Sequence, residues 1–250
     1  MNTKQLRNEI RALIIGLIIF ALLLIAVAFS TFASNKKVTT ELYARNQIVQ
    51  ISNDDGYCSG VRLRYVNKTY ILTAGHCRKY IMNGLVKVTN SDASLHIVRA
   101  IAEDPLNDLL LLESILQDSG VELGNSQKIG DFVYKLGKGG YRPTFKTEGR
   151  IKKIEIISVP QFRIETMEDV VRCAVAPKFA IEQAPGYGMW CIVKSLGVLS
   201  DAQVIPGDSG GGLFNSKGEL VGIVSAYYDE YGAFVPLSEI KRFLKSAVGK

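Results

Sequence analysis

The chain has 250 residues, a mass of 27.5 kDa, 22% charged residues and a formal net charge of +6. With 23 glycines and 7 prolines it has an ordinary globular balance, which excludes wholesale disorder and collagen-like repeats. The surplus of positive charge is too modest to indicate nucleic acid, and no nucleic-acid partner is expected.

Residues 1–11 form a short tail in which Lys4, Arg7 and Arg11 outnumber Glu9. Residues 12–35, from Ala12 to Asn35, carry no charge, and their centre from Leu13 to Phe29 is almost wholly aliphatic or aromatic. As a helix this run would rise about 36 Å, enough for a hydrocarbon core of roughly 30 Å. It is therefore expected to be one transmembrane helix. The basic tail favours a cytoplasmic N-terminus, with everything after the span outside, in a periplasmic or extracellular space. A cleaved signal peptide is the competing reading, because Ala26-Val27-Ala28 and Thr31-Phe32-Ala33 resemble cleavage sites. The apolar run is longer than the roughly 7–15 residues of a signal core, which favours an anchor.

A polar linker is expected over 36–45. From residue 46 the chain reads as many short strands: Ile48–Ile51, Val61–Tyr65, Leu85–Val88, Leu109–Leu112, Phe132–Tyr134 and Ile151–Ile157. Clusters of Gly and Asn separate them, as in a sandwich or barrel. The basic stretch Lys135–Lys153 reads as a solvated hairpin, with contact to anionic lipid heads as an alternative. A final helix is expected over 237–248, opened by Pro236, with Ile240, Phe243, Leu244 and Ala247 on one face. The four cysteines, Cys58, Cys77, Cys173 and Cys191, all follow the apolar run. An even count in an exported domain implies two disulfides, with three possible connectivities. No C-x-x-C motif occurs, so a metal site has no support and none is expected.

Three segments carry chemistry. They are Thr73-Ala74-Gly75-His76-Cys77, then Leu106-Asn107-Asp108 before a leucine run, then Gly207-Asp208-Ser209-Gly210-Gly211-Gly212. A serine hydroxyl attacks an acyl carbon only when an imidazole takes its proton and a carboxylate holds that imidazole. The oxyanion then needs converging backbone N–H donors, which a glycine-rich turn can present. Asp104 is a rival for the acid, but it precedes Pro105 and reads as a turn residue. His96, the other histidine, reads as a strand-surface residue.

These motifs, in this order, resemble those of the chymotrypsin-like (trypsin-like) serine peptidases over roughly Gln47 to Lys245. The resemblance implies His76 as general base, Asp108 as orienting acid, Ser209 as nucleophile, and the amides of Gly207 and Ser209 as oxyanion hole. It also implies the pairs Cys58–Cys77 and Cys173–Cys191. The implied fold is all-β: two six-stranded antiparallel β-barrels, 46–125 and 126–236, followed by the helix 237–248. The implied activity is that of a serine endopeptidase acting on protein or peptide substrates without a cofactor. The alternatives are a catalytically silent tethered binding domain and a secreted peptidase. The segment Gly232-Ala233-Phe234-Val235-Pro236 before a helix is also similar to the high-temperature-requirement proteases. Those continue into a PDZ domain, which is not expected here.

The sequence departs from the family in two places. Digestive members begin at a freed Ile or Val whose amine pairs with the aspartate before the nucleophile. Asp208 is present without such a start; a cut at Lys37–Val38 would create one, but a domain active without it is expected. The pocket floor of the family corresponds to Gln203, which is neutral, and Tyr227 stands where wide-pocket members have glycine. With Ser225 and Gly232 these residues form the expected substrate pocket, suited to small or medium uncharged side chains. Oligomeric state is not legible.

Overall fold

The computed structural model describes residues 16–25, 39–54, 56–82, 85–90, 92–117, 119–139, 144–175, 179–184, 188–228 and 230–249. The expected transmembrane span over 12–35 falls largely outside these. Residues 16–25 are helical with exposed side chains, and among the described residues no helix is long and apolar enough to cross a membrane. Residues 43–250 form a separate compact unit. Residues 39–46, which overlap the linker expected over 36–45, are helical. Ala44 is buried there, and Tyr43 Oη donates to the Gly120 carbonyl at 2.9 Å.

Six strands make a closed barrel: β1 (Ile48–Asn53), β2 (Gly56–Tyr65), β3 (Lys68–Ala74), β4 (Leu85–Thr89), β5 (Leu95–Asp104) and β6 (Leu109–Glu113). Their order is β1-β2-β3-β6-β5-β4, and β1 pairs with β4 to close it. The interior is filled by Val49, Ile51, Ile71, Val86, Val88, Val98, Leu110 and Leu112. β4 shows the alternation of a half-buried strand, with Val86 and Val88 inside and Leu85 and Lys87 outside. The leucine run of β6 does not alternate because both its faces are covered. Leu110 and Leu112 enter the barrel, while Leu109 and Leu111 join a second layer with Tyr134, Phe214 and Ile223.

The remaining strands are β7 (Phe132–Gly137), β8 (Phe145–Arg163), β9 (Phe179–Ala184), β10 (Gly188–Ser200), β11 (Gly212–Asn215), β12 (Leu220–Tyr228) and β13 (Tyr231–Pro236). They form a seven-stranded sheet in the order β13-β12-β11-β7-β8-β10-β9, with an additional pairing of β13 to β10 and one strand more than the six expected. The difference lies between β8 and β10. A short helix, Met167–Val175, and β9 are inserted there, and Cys173–Cys191 ties that helix to β10. The C-terminal helix Leu237–Val248 buries Ile240, Phe243 and Leu244 in the layer shared by the two sheets, and Leu237 is buried at its start. Its apolar stripe follows the helical period, and Pro236 precedes it with the extended φ of −74° that proline favours.

Candidate active site

β3 ends at Ala74, and the chain turns into a 3₁₀ helix, Gly75–Tyr80, that carries His76. Cys77 is bonded to Cys58 on β2, which fixes this turn against the barrel wall. His76 Nδ1 lies 3.1 and 3.0 Å from the two carboxylate oxygens of Asp108, and the His76 backbone N–H donates to Asp108 Oδ1 at 2.8 Å. Asp108 is completely buried and has φ +52°, a left-handed conformation that Asp tolerates better than most residues. A third donor, Ser225 Oγ on β12, bonds Asp108 Oδ2 from the other sheet. The His76 side chain is 19% exposed. Burial disfavours the imidazolium, but the charge and hydrogen bond of Asp108 outweigh it and raise the His76 pKa above its ordinary value.

Ser209 sits in the turn between β10 and β11. Its carbonyl accepts the Ser59 N–H at 2.8 Å and lies 3.8 Å from Cys77 Sγ, so its backbone adjoins the residue after His76. Gly210 follows with φ +82°; a Cβ there would lie 2.0 Å from Thr73 Oγ1 and 2.1 Å from the Ser59 carbonyl oxygen. Glycine is the one residue that permits this approach. Gly207, at φ +90°, lies under the Tyr57 ring. The amides of Gly207 and Ser209 donate no hydrogen bond among the described residues, and Ser209 Oγ makes none either.

Asp104 is the turn residue expected, accepting from the Leu106 N–H at 3.2 Å and from Asn107 Nδ2 at 2.6 Å. His96 lies on β5 and meets Ser94 Oγ at 3.2 Å. Gln203 is exposed, and its carbonyl accepts from Thr147 Oγ1 at 2.7 Å. Tyr227 pairs with Gly232 across β12 and β13 but is 62% exposed, so most of its side chain faces solvent. Cys58, His76 and Cys77 bring possible metal ligands within 4.8 Å of one another, but both sulfurs are spent in a disulfide and offer no thiolate. Grooves of about 850 Å³ beside Thr69 and Ile97, and about 730 Å³ beside Asp104 and Arg242, lie elsewhere and are not lined by His76 or Ser209.

Two residues near the site were missed by sequence reasoning. Ser59 donates its N–H to Ser209 and its hydroxyl to the Gly207 carbonyl at 2.8 Å. Lys135 belongs to the stretch read as a solvated hairpin, yet it is fully buried and ion-paired with Asp208, which corrects that reading at this position. The signal was present: Lys135 is a lone cation inside the apolar strand Phe132–Gly137. Elsewhere in that stretch Lys146 pairs with Glu148 and Lys152 with Asp201 nearer the surface.

A sequence profile of the trypsin-like peptidase domain matches residues 58–223. No curated protein matches the sequence. Solved structures with the same fold include Rv3671c of Mycobacterium tuberculosis H37Rv, crystallised as an inactive mutant form. It is 19% identical, with a TM-score of 0.61 over 84% of this chain and 91% of that one. A serine endoprotease from Yersinia pestis is 20% identical, with a TM-score of 0.59 over 86% of this chain and 66% of that one. The HtrA-type protease AlgW, solved with a tripeptide, is 18% identical, with a TM-score of 0.60 over 84% of this chain and 62% of that one. The chain thus spans about two thirds or less of the latter two.

Proposed function

The chain belongs to the trypsin-like peptidase family, and on that premise we propose that it is a serine endopeptidase that cuts peptide bonds through a covalent acyl-enzyme. The observation that carries this reading is the doubly hydrogen-bonded His76–Asp108 pair beside the Ser209 turn. Ser209 Oγ attacks the scissile carbonyl while His76 Nε2 takes its proton. Asp108 holds Nδ1 protonated and stabilises the imidazolium. The amides of Gly207 and Ser209, unbonded among the described residues, receive the oxyanion. His76 then returns the proton to the leaving amine, and water repeats the sequence on the acyl-enzyme.

Gln203, Ser225, Tyr227 and Gly232 line the substrate pocket on this reading. A neutral Gln203, and Val204 and Ala202 packed against Gly232, favour small or medium uncharged P1 side chains. On the same reading β7, β8 and β10–β13 correspond to the second six-stranded barrel, which the β10–β13 pairing supports, with β9 as an added edge. The uncharged run from Ala12 to Asn35 tethers the domain to a membrane, with the N-terminus cytoplasmic and the disulfide-bonded domain outside. Retention in the pellet after alkaline carbonate extraction is the expected result; release would mean that the domain is secreted.

Fluorophosphonate labelling of the full-length chain tests the chemistry. Label on the wild type and none on Ser209→Ala is expected. The Ser209 hydroxyl, unbonded among the described residues, favours a silent binding domain, and a folded, disulfide-bonded wild type that takes no label would support it.

A further inference from the structure

Lys135 sits in the middle of β7 with its side chain at 0% exposure, and its Nζ donates to Asp208 Oδ2, also at 0%. A buried charge that loses its partner is strongly destabilising, so each holds the other in place. Asp208 is the residue before Ser209. The same Oδ2 accepts the Ile205 N–H at 3.0 Å, and the Asp208 N–H donates to the Ile205 carbonyl at 3.0 Å. The Asp208 carbonyl accepts the Gly211 N–H at 2.7 Å. The carboxylate therefore closes the turn Ile205–Gly211 from within, and that turn carries the free amides of Gly207 and Ser209.

β7 and the residues after it reach this turn at further points. At Gly137 a Cβ would lie 2.1 Å from Asp208 Oδ1, so the strand touches the carboxylate directly. The Lys138 N–H donates to Ser59 Oγ at 2.7 Å, and Ser59 Oγ donates on to the Gly207 carbonyl. Leu136 pairs with Gly212 on β11. Burial pushes the Lys135 ammonium below the usual lysine range, and Asp208 acts against that shift.

We propose that Lys135 is a positioning residue for the reaction: its ammonium holds the Asp208 carboxylate inside the turn and so aims the Gly207 and Ser209 amides, completing the oxyanion site by folding alone, without a cut in the chain. This rests on the peptidase reading above. Lys135 touches no reacting atom and acts through Asp208. Without it the buried carboxylate would turn toward water and carry the Gly207–Ser209 backbone with it.

The test uses the full-length chain with Met1 shown intact by mass spectrometry, a fluorophosphonate probe and a peptide ester. The wild type is expected to react uncut. Lys135→Met is expected to lower kcat and the labelling rate by about 100-fold, the scale of losing an oxyanion donor, with KM changed less than about threefold. The double variant Lys135→Met/Asp208→Asn removes both charges while Asn still accepts the Ile205 N–H. It is expected to regain about tenfold over the single variant, because no lone buried charge remains. A role in stability alone would show equal loss in both variants, or loss that tracks the melting temperature, and either would overturn the proposal. So would a Lys135→Met chain as reactive as the wild type. If Lys135→Met does not fold, the double variant stands against the wild type alone, and a folded double variant without label overturns the proposal. A wild type that reacts only after a cut near Val38 would also overturn it and leave the peptidase reading standing. A wild type inert in every form would remove both.

Discussion

Ser225, on β12, donates its hydroxyl to the carboxylate of Asp108, which belongs to the first barrel. The bond joins the two sheets at the group that orients His76. Ser225→Ala would leave Asp108 Oδ2 with His76 Nδ1 as its one remaining side-chain donor. Loss of a hydrogen bond to a charged group costs about 1.5–3 kcal/mol, so kcat/KM should fall about tenfold or more and stability should drop on the same scale. Ester hydrolysis and urea unfolding of the same preparation measure the two effects; an unchanged kcat/KM would remove Ser225 from the mechanism.

The His76 pKa is raised in the folded chain, with Asp108 outweighing burial and the repulsion of Lys79. The sign follows from that direction. The protonated His76 contributes stability that is fully present below the unfolded value of about 6.5 and is lost as pH rises through the folded pKa. On the proposed mechanism His76 is the general base and must be neutral, so activity should rise across that same window, with its acid limb above pH of about 6.5. Asp108→Asn should move the limb down and cut kcat by about 10⁴-fold, the loss known for the chymotrypsin template of this family. A pH–rate profile of both proteins decides it, and a limb that does not move would separate Asp108 from the base.

Gly210→Ala places a methyl 2.0 Å from Thr73 Oγ1 at a residue with φ +82°. The dihedral alone costs about 1–3 kcal/mol, and the clash adds to it. The expected protein is less stable and loses fluorophosphonate labelling, because the backbone of the Ser209 turn must move. Wild-type labelling in this variant would show that the turn is looser than its contacts imply.

The two disulfides should differ in consequence although they close loops of nearly equal length, with sequence separations of 19 and 18. Each should stabilise by about 3 kcal/mol on loop entropy. Cys58–Cys77 adjoins His76, so replacing both of its cysteines by Ala should slow labelling as well as lower the melting temperature. Cys173–Cys191 braces the inserted helix, and its removal should lower the melting temperature with labelling nearly unchanged. Equal losses of labelling would contradict this division.

A peptide library should show cleavage after small or medium uncharged residues, given a neutral Gln203 and the Val204 packing against Gly232. A profile dominated by Lys, Arg or Glu at P1 would refute that pocket.

Much of this molecule was legible in one dimension. Strand periodicity and glycine punctuation located β1, β4 and β6, and the apolar stripe located the C-terminal helix within its observed bounds. The resemblance named His76 and Asp108, and the structure brings them into contact, because a motif such as Thr73–Cys77 encodes both a strand end and the turn after it. The inserted helix and β9 were not legible, since their segment lacks a long periodic pattern.

The sequence by itself determined which residues could do the chemistry and in what order they follow along the chain, because residue type and local turns are properties of short segments. It left three disulfide pairings open from cysteine count alone. Tertiary structure decided what depends on contacts between distant segments. Cys58 was joined to Cys77 across a barrel wall, and Ser225 reached Asp108 from the opposite sheet. Lys135, one of several bases in a polar-looking stretch, became the buried partner of Asp208. Whether a lysine is solvated or buried against a carboxylate depends on what the fold packs around it, and that is set by strands far away in the chain.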